Sequence, residues 1–287
     1  MNASIIIPTY GRSDLLQQCL ESVVATCPSD FEIIVSDDCS PEPEKSNIEL
    51  LAKRYEVNYL PSDERRAFAG NCNRAVKEAS NDFCILLNSD TICLDNWALP
   101  MLRWLKYDSI GIVGNMQLKV GADTVDHLGM FPSFRSSGGA FPRHIYQGAL
   151  LSNLPKAATT AKIVPMVTGC CVAFDKAQIL SLKDDIFDEG YSNGWEDVDL
   201  CYELRVKHDK RVVVEPESRI VHIGGQSEGR FDSENQNQRK FLERWVHFLM
   251  EDPDLKSCLL ADRRGGNRPS PKWVGPRGNT EGLEFGF

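Results

Sequence analysis

At 287 residues, with 42% hydrophobic and 25% charged content, the chain is long enough for one large globular domain or two small ones and can bury a real core. A net charge of -9 argues against nucleic acid as the main partner, because binding to a phosphate backbone needs a basic surface. No run of about 18 apolar residues and no basic-then-apolar leader at Met1 is present, so neither a membrane span nor export is expected.

The first element is a β-branched run over residues 3–8, which reads as a buried central strand. Thr9-Tyr10-Gly11-Arg12 turns into a helix that Ser13 can cap and whose positive end Asp14 suits, with Leu16, Leu20, Val23 and Val24 as its apolar face. A second strand over 31–36 runs into Asp37-Asp38-Cys39-Ser40-Pro41. Strand, helix and strand in the first forty residues make a βαβ unit and predict a parallel sheet. A helix over 47–54, a short strand over 57–60 and a small-residue helix over 69–79 follow. Arg65 and Arg66 precede that last helix, where cations can reach a diphosphate.

Residues 83–91 form an apolar run that ends in the polar triplet Asn88-Ser89-Asp90. The triplet is either a plain turn or an acid delivered to the carboxyl edge of the sheet, where ligands of open α/β sheets bind. Asp95 can cap a helix over 96–106 that Pro100 can kink, and 110–114 is another strand. From 121 to 160 the periodicity fades, and so long a stretch without clear elements is more often functional than accidental. Strand character returns over 163–174. A loop over 187–194 leads into a helix that opens at Trp195-Glu196-Asp197-Val198-Asp199 and reaches 207. Short strands over 211–214 and 219–221 end in His222-Ile223-Gly224-Gly225. An amphipathic helix over 235–250 precedes a Gly/Pro-rich stretch, 263–278, with five basic and no acidic residues, either a mobile terminus or a contact for anionic lipid or acceptor. The ten cysteines sit mostly in apolar contexts without a C-x-x-C pair, as free thiols in a reducing cytosol would.

Three acid-bearing stretches therefore fall at strand ends or helix starts: Asp37-Asp38, Asn88-Ser89-Asp90, and Glu196-Asp197 with Asp199. His222 joins them at the end of a later strand. Singly each has a plain explanation, since acids cap helices and a lone histidine is commonly structural.

Six stretches in order resemble the family 2 glycosyltransferases over residues 3–225: IIIPTYGR, IVSDDCS, LLNSDT, TGCC, GWEDVDLC and VHIGG. The resemblance implies an α/β GT-A fold, with a Rossmann-like, mostly parallel central sheet flanked by helices, here followed by a C-terminal helical extension. It implies inverting transfer from a nucleoside-diphosphate sugar, a donor-binding half at 1–118, an acceptor-binding and catalytic half at 119–225, and a C-terminal helix and basic tail at 226–287. Carried over residue by residue, Pro8, Thr9 and Tyr10 line the nucleotide pocket together with Arg12, Arg66 and Ser89, and Asp38 accepts a hydrogen bond from the base while Asp37 holds the loop. Asp90 matches the last acid of D-x-D, which binds Mg²⁺ or Mn²⁺, and His222 matches a histidine that completes the metal site in some members. Asn88 replaces the first acid, which leaves the site with fewer charges and implies modest metal affinity. Asp197 matches the catalytic base. Glu196 is placed to bind sugar hydroxyls, Gly169 and Cys170 belong to the acceptor side, and Trp195 is either a wall for a sugar ring or core packing. Two residues along a helix are turned by about 200°, so Asp199 faces structural partners instead.

Processive members of that family carry Q-x-x-R-W and transmembrane helices, where this chain has Phe241-Leu242-Glu243-Arg244-Trp245. The resemblance therefore implies an enzyme adding one or a few sugars. The motif wording is most similar to bacterial rhamnosyltransferase-type members. A dTDP- or UDP-linked donor, a glycan or lipid-linked glycan acceptor in surface polysaccharide synthesis, and a cytoplasmic place with peripheral contact at the inner face of the membrane are expected. The competing readings are a sugar nucleotidyltransferase, which usually shows a Gly-rich Lys/Arg-bearing loop after the first strand, a glycoside hydrolase, and an inactive carbohydrate-binding domain of the same fold.

Overall fold

The computed structural model describes residues 2–121, 123–135, 139–224 and 233–251. Strand β1 (Ser4–Thr9) is buried along its whole length because its apolar residues serve both faces of a sheet: Ile5 and Ile7 join one core cluster and Ile6 the other. The same alternation runs through β2 (Glu32–Asp37), with Ile34 and Val35 on opposite faces, and through β4 (Phe83–Leu87). Beyond β2 lies β3 (Asn58–Pro61), and β4, β1, β2 and β3 are parallel neighbours in that order. Two helices, α1 (Ser13–Thr26) and α2 (Glu44–Arg54), cover one face of this half through Leu16, Leu20, Val23 and Ile48. Helix α3 (Ala67–Glu78) covers the other through Ala69, Cys72, Ala75 and Val76.

The second half adds β5 (Thr91–Cys93), the short helix α4 (Leu99–Leu102), β6 (Ile110–Lys119), β7 (Val125–His127), and a hairpin of β8 (Met130–Arg135) and β9 (Gly139–His144). It continues with β10 (Lys162–Ile163), β11 (Cys171–Asp175), α5 (Lys176–Leu182), α6 (Glu196–His208), β12 (Arg211–His222) and α7 (Glu234–Glu251). Among the described residues the main sheet has ten strands, with β10-β12-β6-β11-β4-β1-β2-β3 along its length, β5 on β12 and β7 on β6. β11 runs antiparallel between β4 and β6 and splices the parallel β12-β6 pair onto the parallel half. This is the mostly parallel, helix-flanked sheet expected from the sequence.

Several local expectations differ. Ser13 does not cap α1: the chain enters through left-handed Gly11 and Arg12 (φ 61 and 51), and the Ser13 N–H is met by Glu44 Oε2 of α2 at 2.7 Å. The helix expected over 96–106 contracts to α4, with Ala98 rather than Asp95 at its cap, because Pro100 belongs in a first turn and the chain beyond tightens into i→i−3 turns. The strands expected over 211–214 and 219–221 are one strand, β12, whose register slips between Glu215 and Arg219 around Pro216. Its buried Glu215 accepts from Arg103 and from Trp104 Nε1, both at 2.8 Å. The stretch 121–160 is not structureless: it carries β7, the β8-β9 hairpin and two turns of 3₁₀ helix. The basic tail, 263–278, lies outside the described residues.

Helix α7 is clamped to α6 by buried charges. Arg244 donates to Asp199 at 2.5 Å and to Glu203 at 2.7 Å, and Asp199 also accepts from Trp245 Nε1 at 2.7 Å and from the Tyr191 hydroxyl at 3.0 Å. Asp199 is thus a structural group, as the helical spacing implied. Burial raises the Glu203 pKa, yet Lys183, Lys207 and Arg244 outweigh it and hold the carboxyl down to about 2. Because Glu203 is depressed in the fold, its contribution is complete above the unfolded value of about 4.3 and is lost as pH falls through about 2. Arg244→Ala leaves two buried carboxylates short of a partner and should cost about 3 kcal/mol in thermal unfolding at neutral pH. Arg239→Ala, which breaks an exposed pair on the same helix, should cost less than about 0.5 kcal/mol.

Candidate active site

The carboxyl ends of β1, β2 and β4 open into a cleft of about 1080 Å³ that is closed on its far side by the β8-β9 hairpin and the loop before α6. One wall is the loop Pro8–Arg12. It is tied to the end of β2 by a chain of bonds in which the Gly11 N–H donates to Ser40 Oγ (2.8 Å), Ser40 donates to Asp37 Oδ1 (2.5 Å), and Tyr59 donates to Asp37 Oδ2 (2.9 Å). Asp37 holds the loop, and Asp38 faces the cleft. Burial pushes the Asp38 carboxyl up, opposed by the Arg66 N–H on its Oδ1 at 2.7 Å and by the Arg65 guanidinium, 3.4 Å from Oδ2.

Arg65 also lies over the half-exposed Tyr10 ring, 3.2 Å from its centroid, and lines the cleft. Arg66 does not. It sits at the N-cap of α3 with its main chain committed to Asp38, and its guanidinium turns to Glu64 at 2.6 Å. Of the two neighbouring arginines, Arg65 rather than Arg66 is on the cleft lining. Pro8, Thr9, Tyr10 and Ser89 all line the cleft, as does Arg12, which is paired with Asp14 at 2.9 Å.

Asp90 stands at the floor. Its carbonyl accepts the Ile223 N–H at 2.9 Å, which draws the end of β12 against the end of β4 and sets His222 Nε2 3.6 Å from Asp90 Oδ2. His222 lies behind the cleft wall, with Nδ1 3.1 Å from Asp126 Oδ2. The imidazole pKa is raised, by Cys170 first and then by hydrogen bonds to Asp126 and Asp90, against the cost of burial. Burial also pushes the Cys170 thiol up, so it is neutral near pH 7 and the two carboxylates carry the effect. The His222 hydrogen bond in turn holds Asp126 down to about 2. Among the described residues no three His, Cys, Asp or Glu side chains are grouped to hold a metal. Asp90 and His222 fit a partial shell: a carboxylate and an imidazole whose other nitrogen is fixed by a second carboxylate. Such a pair needs oxygens from a bound ligand or water to complete it. Asp126 was not singled out from the sequence; its one signal was its place in the long aperiodic stretch.

Asp197 enters on the second residue of α6. Its Oδ2 accepts the Gly169 N–H at 2.7 Å and its Oδ1 accepts the Val198 N–H at 2.8 Å. A side chain at position 169 would bring Cβ within 3.3 Å of the Asp197 Cβ, so the close approach favours glycine. The preceding Asn193, Gly194 and Trp195 all have positive φ (50, 147 and 76), a tight entry that aims the start of α6 into the cleft. Glu196 is buried and its Oε2 accepts the Gly194 N–H at 2.7 Å, so part of its bonding capacity is spent on that turn. Trp195 is both core and wall: it is 5% exposed, 5.2 Å from the Phe241 ring, and on the cleft lining. Gly169 and Cys170 also line the cleft.

The model of glycosyl transferase family 2 matches residues 4–178, more than half of the chain. The chain belongs to that family. It is 22% identical over 198 residues to the poly-beta-1,6-N-acetyl-D-glucosamine synthase of Staphylococcus aureus, an alignment covering 67% of this chain and 45% of that protein. It is 35% identical over 114 residues to the GalNAc(5)-diNAcBac-PP-undecaprenol beta-1,3-glucosyltransferase of Campylobacter jejuni, covering 39% of this chain and 37% of the relative. The chain thus spans less than half the length of either relative. Its fold is that of GT-A glycosyltransferase structures. GalNAc-T7, solved with UDP, GalNAc and Mn²⁺, superposes with a TM-score of 0.67 at 18% identity over 92% of this chain and 50% of that one. The mannosyltransferase PcManGT of Pyrobaculum calidifontis, in complex with GDP-Man and Mn²⁺, superposes with a TM-score of 0.60 at 16% identity over 85% of this chain and 64% of that one.

A two-ligand site predicts linkage. Mn²⁺ should bind weakly alone and at least about tenfold more tightly with saturating UDP, and UDP should gain by the same factor from Mn²⁺. Because a cation on Nε2 must displace a proton from an imidazole of raised pKa, Mn²⁺ affinity should rise from pH 6 to pH 8. Asp126→Asn should weaken Mn²⁺ binding by about 10- to 100-fold. Titration calorimetry with and without UDP checks all three.

Proposed function

We propose that this protein is a metal-dependent inverting glycosyltransferase that moves a sugar from a nucleoside-diphosphate sugar to a hydroxyl of a glycan or lipid-linked glycan. The observation that carries this reading is the convergence in one cleft of the Pro8–Arg12 loop, Asp38, Asp90 and Asp197, with His222 directly behind Asp90. On this reading residues 1–118 bind the donor, and 119–225 bind the acceptor and carry the base. Tyr10 and Arg65 offer a flat, cationic surface to the base and phosphates, and Asp38 accepts a hydrogen bond from the base. Asp90 and His222 would hold a divalent ion, which when bound would supply electrostatic stabilisation of the departing diphosphate.

Asp197 takes the proton of the acceptor hydroxyl through a carboxylate oxygen as that oxygen bonds to the anomeric carbon. The bond from the anomeric carbon to the diphosphate oxygen breaks with its electron pair on the diphosphate. One base and one displacement give inversion. The two backbone N–H bonds fix the orientation of the carboxylate before substrate arrives, which is where most of the value of a positioned base lies. The names of the two bacterial relatives support an acceptor of the polysaccharide or lipid-linked oligosaccharide class, and the UDP and GDP-Man bound by the two solved neighbours support a UDP- or GDP-linked donor. Among the described residues no helix is long and apolar enough to cross a membrane.

Asp197→Asn should lower transfer by about 10²- to 10⁴-fold while UDP and Mn²⁺ binding stay near wild type. Turnover of the variant within a few fold of wild type would remove Asp197 from the role of base.

A further inference from the structure

The slot between the two groups assigned to the base is filled by a side chain of the protein itself. Arg65 holds its guanidinium carbon 3.2 Å from the centroid of the Tyr10 ring and its Nε 3.4 Å from Asp38 Oδ2. A nucleotide base that stacks on Tyr10 and donates to Asp38 needs the same two contacts, a flat face on the ring and an N–H toward the carboxylate. A guanidinium is planar, stacks on aromatic faces and carries its N–H donors in plane, so it reproduces both. The walls of the slot are fixed. The Asp38 N–H donates to the Thr9 carbonyl at 3.0 Å, which ties the carboxylate to the residue before Tyr10, and Asp38 Oδ1 accepts the Arg66 N–H at 2.7 Å. The Asp38 side chain is only 5% exposed, against 44% for Arg65. Among the described residues the Arg65 guanidinium has no ion pair other than Asp38, so the ring and that carboxylate are what keep it in the slot.

We propose that Arg65 is a specificity-determining residue that occupies the base slot until a nucleoside diphosphate displaces it to the phosphates. The exchange discriminates by charge. An unphosphorylated nucleoside must break the contacts of Arg65 and offers the guanidinium nothing in return. A diphosphate breaks the same contacts but gives the released guanidinium a charge-assisted partner, and Arg65 lines the same cleft as Asp90, on whose side the diphosphate lies. The site therefore rejects free nucleosides, which share the base and ribose of the donor. The contacts to be broken are a stack on a half-exposed ring and a long ion pair, together a factor of about 3 to 10 in affinity. The inference rests on the transferase reading.

The test compares each diphosphate with its own nucleoside, with Mn²⁺ present: UDP with uridine, dTDP with thymidine and GDP with guanosine. Titration calorimetry reads the diphosphates and ligand-observed NMR the weaker nucleosides, on the wild type, Arg65→Ala and Arg65→Lys, with thermal unfolding run alongside to show that all three are folded. For the pair that the wild type recognises, Arg65→Ala should bind the nucleoside about 3- to 10-fold more tightly and the diphosphate about tenfold more weakly. Arg65→Lys keeps the charge but not the flat fork. It should hold diphosphate affinity within about threefold while also binding the nucleoside more tightly. The opposite signs are the signature, because removing a residue that merely lines the base pocket lowers both affinities. A nucleoside bound no more tightly by Arg65→Ala than by the wild type overturns the proposal, as does a diphosphate bound more tightly by Arg65→Ala. A wild type that binds none of the three diphosphates overturns the transferase reading and this inference with it; a wild type that binds one, with nucleoside affinity blind to both variants, overturns the inference alone.

Discussion

The hydrogen bond from the Gly169 N–H to Asp197 Oδ2, 2.7 Å long, joins the two halves of the site. It exists because β11 returns antiparallel beside β4, in a register that pairs Cys171 with Leu87 and lets the Asn88 N–H donate to the Cys170 carbonyl at 2.8 Å. The acid-bearing triplet at the end of β4 and the start of α6 are therefore connected through a few residues of rigid sheet backbone. Nothing larger than glycine fits easily at position 169, so the spacing between Asp90 and Asp197 is set by the sheet and not by flexible side chains.

The second constraint acts from outside. Of the three consecutive residues with positive φ, the two that are not glycine, Asn193 and Trp195, cost about 1–3 kcal/mol each and persist only when their surroundings hold them. Helix α7 does so. Asn237 accepts the Ser192 N–H at 3.3 Å and donates to the carbonyls of Ser192 and Gly194, both at 2.9 Å, while Lys240 pairs with Asp188 at 2.8 Å. Phe241 packs on Trp195, and Arg244 and Trp245 fix Asp199 one turn into α6. Arg244 and Trp245 thus brace the helix that bears Asp197. In this account the C-terminal helix is part of the active-site scaffold.

Much of this was legible in the sequence, for identifiable reasons. The unbroken β-branched runs of β1 and β2 bury both faces and announce a parallel sheet, and acids at the ends of such strands announce a cleft. The choice between Arg65 and Arg66 was not legible, because neighbouring residues before a helix exchange roles when its start moves by one position, and α3 begins two residues earlier than its apolar pattern suggests. Asp126 was equally hidden. Its place beside His222 comes from a contact across 96 residues of chain, which no local periodicity encodes. The single strand β12 was read as two because Pro216 interrupts the pattern, while the ladder on β6 resumes after it.

The central claim is a single displacement guided by one carboxylate. It is tested most directly by the anomeric configuration of the product. A donor of known anomer that the protein accepts is incubated with Mn²⁺ and an acceptor, and the first-formed glycoside is read by proton NMR from its anomeric coupling. The account predicts the configuration opposite to that of the donor. A product that keeps the donor's configuration would require a second displacement, and would contradict the role given to Asp197.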